Sequence, residues 1–215
     1  YTIETTGGAE DGMADDLPYA RRVAEHLNVS LEVVEIDSSM MAAELEAMVS
    51  QLDEPLADPA PLNVRYISQL ARENGIKVLL SGAGGDDLFT GYRRHWAVQL
   101  ERYWTWLPKS LRSGLEFSTS RLNKNNPFLR RVSKLFNGAS LDGASRLANY
   151  FFWIKRPDLM SLYSSQFAEA LVGVDAAQPM KDFLAPLPDN VGSLDRMLAL
   201  EQRFFLCDHN LTYTD

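Results

Sequence analysis

Residues 78–95 read VLLSGAGGDDLFTGYRRH. An apolar run gives way to a serine and three closely spaced glycines, then to two adjacent acids, and the stretch ends on Tyr92, Arg93, Arg94 and His95. The pattern predicts a strand over 76–80, a glycine-rich turn and a helix start. In an open parallel sheet, ligands bind beyond the carboxyl ends of the strands, and Ser81 and Gly82 fall at that end. Gly82, Gly84 and Gly85 allow positive φ and let the backbone approach a ligand with no Cβ in the way. Free N–H groups there, with the following helix N-terminus, suit an anion. Asp86 and Asp87 make sense beside a phosphate if magnesium lies between them, because hard cations take oxygen ligands. Two readings stand on the residues alone: a nucleotide site made of amides, a metal and one or two acids, or a plain turn with Asp86 capping a helix. No Gly-Lys-Ser/Thr follows, so this is no Walker loop. "GAGGDD" also lacks the third glycine of a dinucleotide fingerprint.

The surroundings predict an α/β fold. Residues 1–5 alternate like a short strand, which Gly7 and Gly8 break. Leu17, Ala20, Ala24 and Leu27 recur at helical spacing after Asp16. Residues 31–36 are rich in β-branched types and read as the next strand. Met41, Leu45, Met48, Val49 and Leu52 mark a second helix. Residues 54–62 hold three prolines and read as a loop. A third helix follows through Val64, Ile67, Leu70 and Ala71, with Gly75 as its stop. Alternating strands and helices point to a Rossmann-like parallel sheet with flanking helices. After about residue 95 helical patterns dominate, at 107–117, 128–136, 144–154 and 194–206. In the last of these Ser193 reads as the N-cap, and Leu194, Met197, Leu198, Phe204 and Phe205 share one side. The expected division is an α/β nucleotide-binding part, 1–100, and a helical part, 101–215.

Composition narrows the function. The 215 residues carry a net charge of −8, which argues against general nucleic-acid binding. The charge is segregated: residues 1–60 hold 14 acids against Arg21 and Arg22, whereas 61–136 hold 13 Lys or Arg against 5 acids. Such runs read as solvated helix faces, or as a basic middle that helps to hold a polyanion such as ATP. No apolar run reaches the length of a membrane span. Cys207 is the one cysteine, so no internal disulfide can form, which fits a cytoplasmic location. The chain begins at Tyr1, and it reads as a piece of a longer protein.

"SGAGGDDLFTGYRR" resembles the second nucleotide-site motif of the asparagine synthase family, SGxGGDExFxGY. "DEPLADPAPLN" upstream resembles that family's Asp-Glu-Pro segment at the right distance. Residues 1–37 resemble the strand, acidic loop and helix after its pyrophosphate loop, and "DHNLTYTD" the stretch before its Lys/Arg-Met-Ser-Met segment. The resemblance implies an adenine nucleotide alpha hydrolase-like fold and a synthetase that uses ATP and Mg2+ to adenylate a small-molecule carboxylate. Ammonia then displaces AMP, supplied by a glutaminase domain of the same parent chain. It implies that Ile3 lies against the adenine and that Ser81 and Gly82 contact the nucleotide. Asp86 would be the metal ligand and, with Asp87, catalytic. Gly84, Gly85 and Asp87 would shape the acyl-adenylate pocket, with Asp53 and Asp58 on its far side. A homodimer is compatible with this reading. Ala83 stands where the asparagine-forming members usually carry Glu, so the acceptor is expected to differ from aspartate. The pyrophosphate loop and the catalytic lysine are expected outside residues 1–215, so the isolated chain is expected to be inactive. The rival reading is a non-catalytic or degenerate nucleotide-binding module.

For other residues the ordinary roles are expected. Cys207 reads as a buried helix thiol, and His26, His95 and His209 as surface or helix-end groups. Arg93 and Arg94 read equally as phosphate contacts or surface pairs. Trp96, Tyr103, Trp104 and Trp106 read as core packing rather than base-stacking platforms.

Overall fold

The computed structural model describes residues 1–6, 16–56, 58–123 and 125–214. The expected break at Gly7 and Gly8 lies outside them. The chain divides into two compact units, Tyr1–Ala83 with His209–Asp215, and Gly84–Asp208. The division falls inside the glycine motif.

In the first unit, β1 (Thr2–Thr6) and β2 (Val33–Asp37) pair in parallel, with Thr2 opposite Val33 and Thr6 opposite Asp37. Helix α1 (Leu17–Leu27) makes the crossover. Helices α2 (Ser38–Gln51) and α3 (Ala60–Glu73) pack on each other, and α3 lies against both strands. Leu17, Ala24, Ile36, Met48, Leu62 and Ala71 are among its buried apolar residues. Asp37 caps α2, accepting from the Ser39 and Met40 amides at 2.8 and 2.9 Å. These bonds and the Ser39 hydroxyl hold its carboxyl below the usual range. The expected loop ends early, because Ala60, Pro61 and Leu62 already belong to α3. Proline is tolerated there because first-turn N–H groups have no intrahelical partner. Gly75 ends α3 as expected, with φ of 78°.

The expected strand at 76–80 does not form. Val78 is 77% exposed and Leu80 98%. A strand needs a neighbour for its backbone groups, and among the described residues the sheet has only β1 and β2. The parallel α/β character of the first unit stands, but its sheet is far smaller than a full Rossmann sheet.

The second unit is helical. It contains α4 (Gly85–Phe89), α5 (Arg93–Leu100), α6 (Lys109–Ser120), α7 (Pro127–Leu135) and α8 (Gly143–Asn149). It continues with α9 (Arg156–Met160), α10 (Ser165–Ala170), α11 (Gln178–Leu184) and α12 (Ser193–Leu200). α12 runs on into a π-helix, Glu201–Asn210. Its core is Val98, Leu147, Leu184, Met197 and Leu200, joined by Phe151, Phe183 and Phe204. The N-cap of α12 is Gly192 rather than Ser193, and α8 stops at Asn149, short of the expected 154. The expected aromatic core holds only for Trp104, which is buried against Phe136. Trp96, Tyr103 and Trp106 are 61–74% exposed. The inward face of this stretch is taken instead by His95, Val98, Glu101 and Trp104, one every three residues.

Buried charges tie the helices to the loop between α7 and α8. Arg146 bonds Glu101 at 2.5 Å, the Tyr150 hydroxyl at 2.8 Å and the Leu135 carbonyl at 3.0 Å. Burial pushes the Tyr150 phenol far up, the Glu101 carboxylate adds to this, and Arg146 opposes it. Glu116 accepts from the Gly138 and Ser140 amides at 2.9 and 3.1 Å and from the Ser140 hydroxyl at 2.7 Å. Burial alone would raise its carboxyl, but these bonds and Lys155 outweigh it and hold the group low. The linked stability is therefore present above the ordinary glutamate value of 4.5 and is lost as pH falls below it towards the lowered value. Glu116→Gln is expected to cost about 1–2 kcal/mol at neutral pH and to flatten the acid limb of stability. Denaturant midpoints measured across the acid range check this, and a variant with an unchanged acid limb would show that Glu116 is not the linked group.

Candidate active site

The motif folds as a tight turn around one short helix. The Ser81 hydroxyl accepts from the Ala83 amide at 2.9 Å, a side-chain turn that competes with regular structure. Ser81, Gly82 and Ala83 are exposed. Gly84 is buried and left-handed, with φ of 90°. Positive φ was expected at Gly82 and Gly85 as well, but only Gly84 of the three adopts it. A Cβ on Gly84 would sit 3.2 Å from Leu206 Cδ1, so two reasons meet at this one position. The expected helix start is α4, only five residues long, so its dipole is a weak anion site at best.

The two acids part company. Asp86 is exposed, and among the described residues its carboxylate has no hydrogen-bond or ion-pair partner. It does not cap the helix, since the N-cap is Gly84. Asp87 is fully buried, and the Tyr92 hydroxyl donates to its Oδ2 at 3.4 Å. The turn closes through Thr90, left-handed at φ 68°, which is uncommon for a β-branched residue. The Gly91 amide then bonds the Asp86 carbonyl at 3.2 Å. A Cβ on Gly91 would fall on the Asp86 carboxylate. The Asp86 side chain thus lies across a space that only glycine leaves open.

The remaining expected residues lie in the first unit. Ile3 is half-buried on β1. Asp53 is exposed and borders a cavity of about 580 Å³ with Arg65, Arg72, Thr212 and Tyr213. Asp58 accepts from the Ala60 amide at 2.9 Å and lies 3.0 Å from His209 Nε2. Ser81 and Gly82 share this unit, whereas Gly84, Gly85, Asp86 and Asp87 belong to the second. Another cavity, of about 740 Å³ among α5, α8, α11 and α12, contains none of the motif residues.

Several ordinary expectations fail around the motif. His95 is buried, 1% exposed, with Nε2 3.0 Å from Glu201. Arg94 makes a two-point contact to the same carboxylate, through Nε and, at 2.6 Å, through Nη2. Cys207 is exposed rather than buried, because the π-helix turns it outward, and its thiol bonds the Gln202 carbonyl at 3.1 Å. Sequence reasoning missed Glu201. The signal was present: it falls among Met197, Leu198, Phe204 and Phe205 on the apolar side of the last helix, where a charge implies a buried partner.

The asparagine synthase family matches residues 1–215, the whole chain. The chain belongs to the asparagine synthase family. A Mycobacterium tuberculosis protein named "Putative asparagine synthetase (glutamine-hydrolyzing)" is 34% identical over 138 residues, 64% of this chain and 20% of its own length. A Methanocaldococcus jannaschii protein, "Putative asparagine synthetase (glutamine-hydrolyzing) 1", is 34% identical over 91 residues, 41% of this chain and 17% of its own. The Penicillium rubens protein named amidase chyE is 34% identical over 83 residues, 39% and 12% respectively. The chain thus spans a fifth or less of the length of these relatives. No solved structure matches it significantly. Among the described residues no helix is long and apolar enough to cross a membrane, and none form a cluster of three or more metal-ligating His, Cys, Asp or Glu.

Proposed function

We propose that this chain is part of an amide-forming ligase that adenylates a carboxylate other than free aspartate. The observation that carries the proposal is the family match over all 215 residues, and the geometry of the turn supports it. In the reaction, a carboxylate oxygen of the acceptor attacks the α-phosphorus of ATP, and the bond to the departing pyrophosphate breaks. Ammonia, released from glutamine by a further domain of the parent chain, then attacks the acyl carbon. The carbon–oxygen bond to AMP breaks, and the nitrogen loses a proton to solvent.

The roles are those that the family resemblance implies. Ser81 and Gly82, both exposed, offer backbone groups to the nucleotide. Ile3 supplies an apolar contact for the adenine. Gly84 and Gly85 keep the turn free of side chains for the acyl-adenylate, and Asp53 and Asp58 are assigned to the substrate on the family resemblance alone. The chemistry of Asp86 fits magnesium. It is an exposed carboxylate without a protein partner, and Mg2+ is commonly held by one or two carboxylates together with substrate phosphates, not by a protein cage. When bound, the ion would neutralise charge growing on the phosphates. Asp87, buried and bonded by Tyr92, is suited to holding the shape of the turn and not to meeting solvent ions. The single, exposed thiol of Cys207 suits a reducing cytoplasm. The acceptor reading rests on Ala83, which brings no charge to an exposed position beside the glycines. A Glu there could orient an ammonium group, and its loss weakens an amino-acid acceptor by about 10- to 100-fold.

The test is pyrophosphate release by the full-length protein with Mg-ATP, ammonia or glutamine, and a panel of aspartate, sugar acids and other carboxylic acids. Carboxylate-dependent release with one AMP per pyrophosphate is expected, with aspartate not the best acceptor. If aspartate shows an ordinary Michaelis constant and leads the panel, the reading of Ala83 is wrong. If ATP binds but nothing in the panel is turned over, the protein is a non-catalytic nucleotide-binding module.

A further inference from the structure

We infer that Glu201 is a positioning residue for the Gly-Asp-Asp turn, acting through Arg94, His95 and Tyr92 on the Asp87 carboxylate; the inference rests on the adenylating function proposed above. Glu201 opens the π-helix, 106 residues beyond His95, and its side chain is fully buried. A buried carboxylate persists only where it is paired and hydrogen-bonded. Among the described residues its partners come from the segment that closes the motif: the two-point contact from Arg94 and His95 Nε2 at 3.0 Å.

The same π-helix meets the turn at two further points. Phe205 lies 4.2 Å from the Arg94 guanidinium carbon and packs edge-on to Tyr92, with ring centres 5.6 Å apart. Leu206 closes over Gly84. The Arg94 guanidinium carbon also lies 4.1 Å from the Tyr92 ring centre, so it touches both rings of this edge-on pair. Its in-plane donors face Glu201, so this arginine serves as an internal clamp and not as a phosphate contact. The Tyr92 ring, held by Arg94, His95 and Phe205, then places its hydroxyl on Asp87. A wide π turn shifts the residues after it by one position relative to an α-helix, and such turns recur at functional sites. Here the shift brings Glu201, Phe205 and Leu206 onto one segment, 84–95.

A purely structural ion pair would be replaceable by apolar side chains of similar volume, since buried pairs commonly add little net stability. A positioning role predicts coupling to the turn. The experiment is a double-mutant cycle in the full-length protein with Glu201→Gln, Tyr92→Phe and the pair, read as kcat and KM for ATP in the pyrophosphate assay. Glu201→Gln is expected to lower kcat by about tenfold, the scale of a small displacement at a reacting site, with KM for ATP within about twofold. The double variant is expected to lose little beyond the worse single one, because both act through one path. Losses that multiply, or a lowered melting temperature with unchanged kcat, would overturn the inference. Should Glu201→Gln not fold, His95→Gln retains the Arg94 contact and carries the same cycle. A second readout needs no turnover: 3-fluorotyrosine placed at position 92 is expected to shift its 19F resonance in Glu201→Gln and not in Glu116→Gln. If the parent protein turns over no acceptor, the functional reading fails, and this resonance alone decides whether Glu201 sets Tyr92; an unmoved resonance refutes it.

Discussion

Asp86→Ala in the full-length protein is expected to lower pyrophosphate release by about 100-fold or more, the usual scale for a group that stabilises transition-state charge directly. Asp87→Ala is expected to lose less activity per folded molecule. The difference follows from burial. Asp86 is exposed and has no protein partner among the described residues, so its charge is available to an ion on the phosphates. Asp87 is fully enclosed and answers to Tyr92. Its removal leaves a void and a loosened turn, which appears first as lost stability. Raising magnesium separates the two. Asp86→Ala is expected to need a higher magnesium concentration for its residual rate, whereas Asp87→Ala keeps the parental magnesium dependence. Parental activity in Asp86→Ala would remove this residue from the reaction.

Gly91→Ala is expected to lose about 10- to 100-fold in the same assay, because a misplacement of about an ångström at a reacting group has that effect. The added Cβ would fall on the Asp86 carboxylate, which must swing away. The backbone itself tolerates the change: Gly91 has no positive φ and is exposed. The melting temperature is therefore expected to stay near that of the parent while activity falls. Combining Gly91→Ala with Asp86→Ala should lose no more than Asp86→Ala alone, because the glycine acts only by giving that carboxylate room. A further loss in the double variant would assign Gly91 some other role.

The features legible in the sequence are those set by neighbours along the chain. Helices α1, α2 and α3 follow from apolar residues at helical spacing, and β2 from its β-branched run. The motif was legible because its glycines answer local needs. Gly84 takes a left-handed turn that other residues rarely adopt, and the acids sit at fixed places after it. The spacing of that motif from the Asp-Glu-Pro segment also identified the family. The short helices α9, α10 and α11 were not legible, since five to seven residues are too few for a helical period to emerge.

What only the tertiary structure decided depends on partners distant in sequence. Residues 76–80 have the composition of a strand, but strand formation needs a paired backbone, and among the described residues only β1 and β2 pair. His95 looks like a surface histidine until Glu201 arrives beside it from more than a hundred residues away. Arg94 can face a phosphate or a carboxylate, and it was the buried charge on the last helix that settled which. Cys207 points outward because a π-helix carries one more residue per hydrogen-bonded turn than the α-helical pattern assumes. Composition and periodicity determine which elements form and which residue types can do the chemistry. Pairing of strands, burial of charge and helix register are set by contacts across the fold, where desolvation makes an unpaired group costly and leaves one arrangement favoured.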